Sequence, residues 1–132
     1  MGPYERMFTF IEMRIIGSKG VPSDAEIMLQ LSRMLEHKLF LGAPSRLKVL
    51  KFVVEQALDD KEISEDIIGY SLFANYVADE SDDVRVTARN LRRSLDEYYR
   101  GDGAYDLVRI GLPPGPRYPL LHAFGRWNVR FV

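Results

Sequence analysis

The chain has 132 residues, 46% of them hydrophobic, and a formal net charge of -1 at pH 7. This composition is typical of a folded protein with a real core, and it excludes a generally basic protein that coats DNA. Because the chain has no cysteine, disulfides and thiolate metal sites are excluded as well. His37 and His122 are too few and too isolated to suggest a metal centre, so we expect no cofactor.

No apolar run approaches the roughly 18 residues of a membrane span, and no small-residue cleavage site follows the apolar residues 7–16. We therefore expect a soluble, cytoplasmic protein that does not contact a membrane. Residues 7–16 (MFTFIEMRII) alternate in part, with Phe8 and Phe10 on one face, which predicts a strand; a helix is the alternative.

Three helices are predicted between residues 23 and 73. Ser23 or Asp24 is placed to cap the first, which runs to about Leu39. Ser45 is placed to cap the second after a break at residues 42–44, and the wide apolar arc of this helix predicts that it lies at the centre of the core. That arc consists of Leu47, Leu50, Val53, Val54, Ala57 and Leu58.

The third helix opens at Ser64 and is short. Ile63 before the cap and Ile68 at the fourth helical position are placed to form a hydrophobic staple. Gly69 is expected to let this helix approach a neighbour closely.

Residues 81–100 (SDDVRVTARNLRRSLDEYYR) predict a helix whose two sides differ chemically. At about 100° per residue, one side is apolar and the other carries four arginines within an arc roughly 100° wide. Ser81 is the expected N-cap, and Gly101 supplies the expected stop. The apolar side consists of Val84, Ala88, Leu91, Leu95 and Tyr98, and the basic side of Arg85, Arg89, Arg92 and Arg93.

After residue 103 the hydrophobic period changes to two. Residues 106–112 and 117–121 flank a turn at 113–116 (PPGP), which predicts a β-hairpin with Arg117 beside its turn. Residues 127–132 (WNVRFV) predict a final strand that places Trp127, Val129 and Phe131 on one face.

Charge is distributed unevenly along the chain. Residues 59–83 contain nine acids and one lysine, a net charge of -8, whereas residues 85–117 contain seven arginines and four acids, a net charge of +3. An acidic segment therefore runs directly into a basic one.

Helices followed by a hairpin, with basic side chains on the last helix, is the order of a winged helix-turn-helix. Residues 84–95 (VRVTARNLRRSL) resemble the recognition helix of the OmpR-type winged-helix domains of response regulators, V-x-V-x-I-x-x-L-R-x-K-L. Residues 108–110 and 115–118 resemble the wing that follows that helix.

A closer resemblance, over residues 28–121, is to a winged-helix module found at the N-terminus of bacterial multidomain regulators. It is carried by residues 46–55 (RLKVLKFVVE), 68–73 (IGYSLF), 84–103 and 108–113 (VRIGLP). The chain departs from that module's pattern at Asn90 and Ser94, where the pattern tends to be basic, and at Asp82, where it prefers proline.

The resemblance implies an α+β winged helix-turn-helix fold, and we expect one such domain over residues 1–132, with the two terminal strands added outside the resemblance. Its parts would be an N-terminal strand and loop (1–22), a helical core (23–104), a wing (105–121) and a C-terminal strand (122–132). It implies a sequence-specific protein that binds double-stranded DNA, a bacterial transcriptional regulator that is not an enzyme. Helix 81–100 would read the major groove while the wing contacts the backbone. The expected DNA contacts are Arg85, Arg89, Asn90, Arg92, Arg93 and Arg117.

Two alternatives remain open. The first is a winged-helix protein-interaction module that binds another regulatory protein through its acidic segment or its outer strands. The second, an enzyme, has little support, because the sequence lacks a nucleophile–base pair, metal-ligand spacing and a phosphate-binding loop.

The terminal strands 7–16 and 127–132 are too apolar to remain exposed edges. They pair either with each other, over the second helix, or across a two-fold axis. We expect the latter, a homodimer in which Trp127 and Phe131 are the aromatic anchors.

Overall fold

The computed structural model of the protein describes residues 22–112 and 129–132. They form five helices followed by a two-stranded antiparallel sheet, an α+β arrangement as the sequence predicted. The elements are α1 (Asp24–Leu35), α2 (Lys38–Leu41), α3 (Pro44–Leu58), α4 (Glu65–Leu72), α5 (Asp83–Arg100), β1 (Ile110–Gly111) and β2 (Arg130–Phe131). The predicted strand 7–16, the return strand 117–121, Arg117 and Trp127 lie outside the described residues.

The start of α1 is fixed by a capping box, which confirms Ser23 as its cap. The Glu26 N–H donates to Ser23 Oγ, and the Ser23 N–H donates to Glu26 Oε1. The predicted end at Leu39 is wrong, because the backbone of His37 is extended (φ -79°, ψ 143°) and interrupts the helix. The His37 Nδ1 then accepts the Leu39 N–H over 3.2 Å and caps the short helix α2.

Helices α3 and α4 are capped differently at their N-termini. Ser45 does not cap α3, because Pro44 already occupies its first position and Ala43 is the cap residue, without a side-chain hydrogen bond. The prediction for α4 is confirmed, since Ser64 Oγ accepts the Ile67 N–H over 3.1 Å. Ile63 and Ile68 are both buried in the core.

Helix α5 begins one residue later than predicted. Asp82 is its cap residue, while Ser81 Oγ accepts the Val77 N–H of the preceding turn over 2.8 Å. The stop at Gly101 and the predicted apolar side are confirmed. The buried residues of α5 are Val84, Thr87, Ala88, Leu91, Ser94, Leu95, Tyr98 and Tyr99.

Helix α3 lies at the centre of the core, as its apolar arc predicted, because it contacts each of the other four helices. Val49, Leu50, Val53 and Val54 of α3 are almost completely removed from solvent. Burial of this kind stabilises the fold by about 1.5–3 kcal/mol for each large apolar side chain. The exposed side of α5 is therefore held outward by the packing of its opposite side against α3.

The turn between α4 and α5 contains two left-handed residues and a buried tyrosine. Asn75 and Asp79 both adopt left-handed backbone conformations (φ 62° and 66°), which these residue types tolerate better than most. Tyr76 is buried between them and donates its hydroxyl to Asp66 Oδ1 over 2.7 Å. The predicted close approach at Gly69 is made to Tyr76, since a Cβ built there would meet three ring atoms at 2.5 Å.

The strand β1 pairs with β2, with Ile110 opposite Phe131 and Gly111 opposite Arg130. The sequence predicts pairing of the C-terminal strand with strand 7–16 or across a two-fold axis, and it does not predict this pairing with β1. Val129 and Phe131 are partly buried and pack against the core of their own chain. Among residues 22–112 and 129–132, no helix is long and apolar enough to cross a membrane.

Candidate nucleic-acid interface

The outward side of α5 carries the arginines that the sequence singled out. Arg85, Arg89 and Arg93 are exposed, while Asn90 and Arg92 are half-buried at the margins of the same side. From Arg85 to Arg93 the helix rises about 12 Å. The structure therefore brings together five of the six predicted contact residues, and the sixth, Arg117, lies outside the described residues.

Arg89 and Arg93 are the two basic side chains best placed to bind an external anion. Both are exposed on successive turns of α5, and within the described part of the chain neither forms a hydrogen bond or an ion pair. Each guanidinium therefore has its five N–H donors available to phosphate oxygens or base edges.

Arg85 forms one ion pair and one hydrogen bond within its own chain. Its Nε lies 3.1 Å from Glu65 Oε1, in an ion pair with the first residue of α4, and its NH2 group donates to the Ser81 carbonyl over 3.3 Å. The side chain is nevertheless 58% exposed. Arg85 thus lies beside α4 while most of its side chain stays accessible to solvent.

Arg92 has a different environment from the other three arginines. Its Nε donates to the carbonyl oxygen of Leu112 over 2.8 Å, and the side chain is half-buried. This bond connects α5 to the residue that follows β1, where the predicted wing continues. Arg92 therefore joins α5 to Leu112.

The two departures from the basic pattern have different structural settings. Ser94 is 2% exposed, and its Oγ accepts a hydrogen bond from Arg46 NH1 over 2.6 Å. Position 94 therefore faces the core, and its departure from the basic pattern removes no charge from the outward side of α5. Asn90 is half-buried at the edge of the outward side, where a longer side chain can reach solvent.

Acidic groups limit the basic surface at both ends. Asp82 and Asp83 are exposed at the start of α5, and Asp96 pairs with Arg100 over 3.2 Å near its end. The positive charge of α5 is therefore concentrated between residues 85 and 93. In helix-turn-helix proteins, the N-terminal part of the recognition helix is the part that contacts base edges.

Behind α5 lies a polar network that sequence reasoning missed. The Asp106 carboxylate accepts from Tyr98 OH over 2.5 Å and from Gln30 Nε2 over 2.8 Å, and it lies 3.2 Å from Arg33 NH1. Burial and the bond to Asp106 raise the pKa of Tyr98 to about 12. Tyr99 OH accepts the Ile110 N–H over 2.8 Å, which joins α5 to β1. A pair of adjacent tyrosines on the apolar side was the available signal.

Arg109 is an arginine of the basic segment that faces inward. It is 8% exposed, its guanidinium lies 4.9 Å from the centre of the Tyr99 ring, and its NH2 group donates to the Ala104 carbonyl. Arg109 therefore stabilises the packing around Tyr99 and adds no charge to the exposed surface.

Within residues 22–112 and 129–132, no group of three or more His, Asp or Glu side chains is arranged to hold a metal ion. Comparisons with models of protein families, with curated proteins and with solved structures each found no match.

Proposed function

We propose that this chain is a winged helix-turn-helix protein that binds double-stranded DNA, with α5 in the major groove and residues 105–121 as the wing. The single observation that carries the proposal is the outward side of α5, where Arg89 and Arg93 are exposed and unpaired among the described residues. The order α3, α4, α5 and β1 supports it, as does the bond that fixes Arg92 to Leu112.

The chemistry of the groove suits these side chains. A helix fits the major groove of B-form DNA, and a guanidinium meets guanine O6 and N7, or a phosphate, with two parallel hydrogen bonds. Each phosphate that is neutralised releases counterions, which makes binding depend on salt. With four arginines in the first half of α5, we expect the slope of log affinity against log salt to be no steeper than four phosphate contacts would give.

We further propose a cytoplasmic, bacterial transcriptional regulator that acts as a homodimer. One module of this size contacts few base pairs, and two recognition helices spaced by about one helical turn would extend the site. The pairing of β2 with β1 changes which residues can form the dimer contact, because Phe131 packs on the core of its own chain. The dimer contact we propose therefore includes residues other than Phe131.

The experiment is a titration of labelled duplex DNA with the full chain at low and high salt. We expect Arg89→Ala and Arg93→Ala each to weaken binding and to reduce the slope of log affinity against log salt by about one. The matched control is Arg100→Ala on the same helix, since Arg100 lies about 16 Å from Arg89 along the axis and pairs with Asp96. Unchanged affinity in both variants, with the helical circular dichroism retained, would contradict the proposal.

One observation favours the second candidate function, binding of another regulatory protein. Tyr70 of α4 and Val77 of the α4–α5 turn are 65% and 47% exposed, and Asp79 and Glu80 are exposed in the same turn. A partner with a basic, apolar surface would complement this combination. If wild-type protein fails to bind DNA at low salt, a partner retained by Arg89→Ala but lost by Tyr70→Ser would support this alternative.

A further inference from the structure

Arg85 is the basic residue of α5 that forms an ion pair with another helix. Glu65 Oε1 on α4 lies 3.1 Å from its Nε, without a hydrogen bond, and the Ser81 carbonyl accepts from its NH2 group. The NH1 group has no partner among the described residues. NH1 and the remaining N–H of NH2 are therefore the donors left to contact a ligand, and the side chain is 58% exposed.

This geometry has two effects on binding to a polyanion. A carboxylate next to Arg85 opposes the approach of a phosphate, because the local charge of the pair is close to zero. It also attracts the guanidinium towards α4 and so restricts its conformations, so that less side-chain entropy is lost when the rest of the group forms a bidentate contact with a base. The neutralised charge weakens binding to any duplex. The restricted guanidinium favours bidentate contacts with a base edge, which require one orientation.

From these contacts we infer that Glu65 is a positioning residue that directs Arg85 towards a base edge and away from general phosphate binding. Glu65 thereby raises the discrimination of the protein between duplex sequences while lowering its affinity for non-specific DNA. The inference rests on the proposed function, because it assigns a division of labour within the same site. In this division, Arg89 and Arg93 provide salt-dependent affinity, and the Glu65–Arg85 pair provides discrimination between sequences.

The test begins with selection of preferred duplexes from a random pool by the full wild-type chain. Arg85→Ala then identifies the base pair at which discrimination depends on Arg85. We expect Glu65→Gln to reduce discrimination at that base pair by about fivefold or more and to tighten binding to non-specific duplex severalfold. In the Arg85→Ala background, Glu65→Gln is expected to change discrimination no further.

The matched control is Asp83→Asn, which removes one exposed negative charge at the same end of α5. Asp83 has no ion pair among the described residues, so this variant is expected to tighten non-specific binding without loss of discrimination. Thermal unfolding of each variant checks that Glu65→Gln leaves the fold intact.

The outcomes separate two failures. If the wild type enriches no sequence, the proposed function and this inference both fail. If it enriches a sequence and Glu65→Gln discriminates as well as the wild type, or if its effect persists without Arg85, the positioning role is wrong while DNA binding stands.

Discussion

Arg46 on α3 donates a hydrogen bond from NH1 to the Oγ of Ser94 on α5 over 2.6 Å. The bond crosses between the central core helix and the middle of the helix that carries the candidate interface. Because Ser94 is 2% exposed, this contact is a polar bridge inside the packing of the two helices. It explains why a small hydroxyl side chain occupies position 94.

We expect Ser94→Lys to destabilise the protein by about 3 kcal/mol or more, since it places an ammonium beside the Arg46 guanidinium without a counter-charge. The free energy of unfolding, from urea titration followed by circular dichroism, measures this effect. A wild-type unfolding midpoint in Ser94→Lys would show that position 94 opens to solvent.

Asn90→Lys is the contrasting substitution, because Asn90 is half-buried at the edge of the outward side. We expect it to leave the free energy of unfolding within about 0.5 kcal/mol of wild type. The added cation should strengthen duplex binding at low salt and steepen the salt dependence by up to about one. Weaker binding than wild type would place position 90 away from the DNA.

Arg92→Ala is expected to lower the free energy of unfolding by about 1–2 kcal/mol more than Arg89→Ala. Both substitutions remove an arginine from the same helix, but only Arg92 loses a hydrogen bond to the Leu112 carbonyl. Urea denaturation of the two variants in parallel measures the difference. Equal stabilities would mean that the Arg92–Leu112 bond contributes nothing to the fold.

Gly69→Ala is expected to destabilise the protein by about 1–3 kcal/mol, although alanine is the better helix former by about 1 kcal/mol. The added Cβ would meet the Tyr76 ring at 2.5 Å, and that ring is held by Asp66 and by edge-to-face packing on Tyr70. In a Tyr76→Ala background the clash is removed, so Gly69→Ala should then be stabilising. Thermal unfolding of the four proteins tests both signs.

Stability should fall with rising pH between about 10 and about 12, because the pKa of Tyr98 rises from 10.0 to about 12 on folding. Below pH 10 the Tyr98 hydroxyl is protonated in both the folded and the unfolded state. Above pH 10 the unfolded chain loses this proton first, which lowers the free energy of the unfolded state relative to the folded one. Tyr98→Phe should therefore show a shallower decline in this window. Burial also raises the pKa of Tyr76 and Tyr99, so some decline remains. Urea midpoints on both sides of pH 10 measure the slopes, and equal slopes would contradict the assignment.

Features that depend on local sequence were predicted well. Ser23 and Ser64 cap α1 and α4 because the side-chain oxygen, the backbone N–H and the intervening residues all lie within one turn. The apolar side of α5 was also predicted correctly, since a period of 3.6 residues fixes which side chains share a face. The same rule identified Arg85, Arg89 and Arg93 as exposed.

Features that depend on contacts between distant residues were missed. Ser81 is a local exception, because it resembles a cap by sequence but its Oγ accepts the N–H of Val77, four residues earlier. Nothing local indicates that β1 pairs with β2, that Arg92 binds Leu112, or that Ser94 faces Arg46. These choices depend on the relative placement of helices, which side-chain periodicity does not encode.

The turn between α4 and α5 has a kinetic consequence. Its two left-handed residues, the Val77–Ser81 bond and the buried Tyr76 fix the angle between the two helices before any ligand arrives. A ligand that binds α5 therefore meets a surface that needs no rearrangement of its supporting helix. Association should consequently follow single-exponential kinetics with a rate proportional to ligand concentration, limited by encounter and orientation rather than by a slow conformational step.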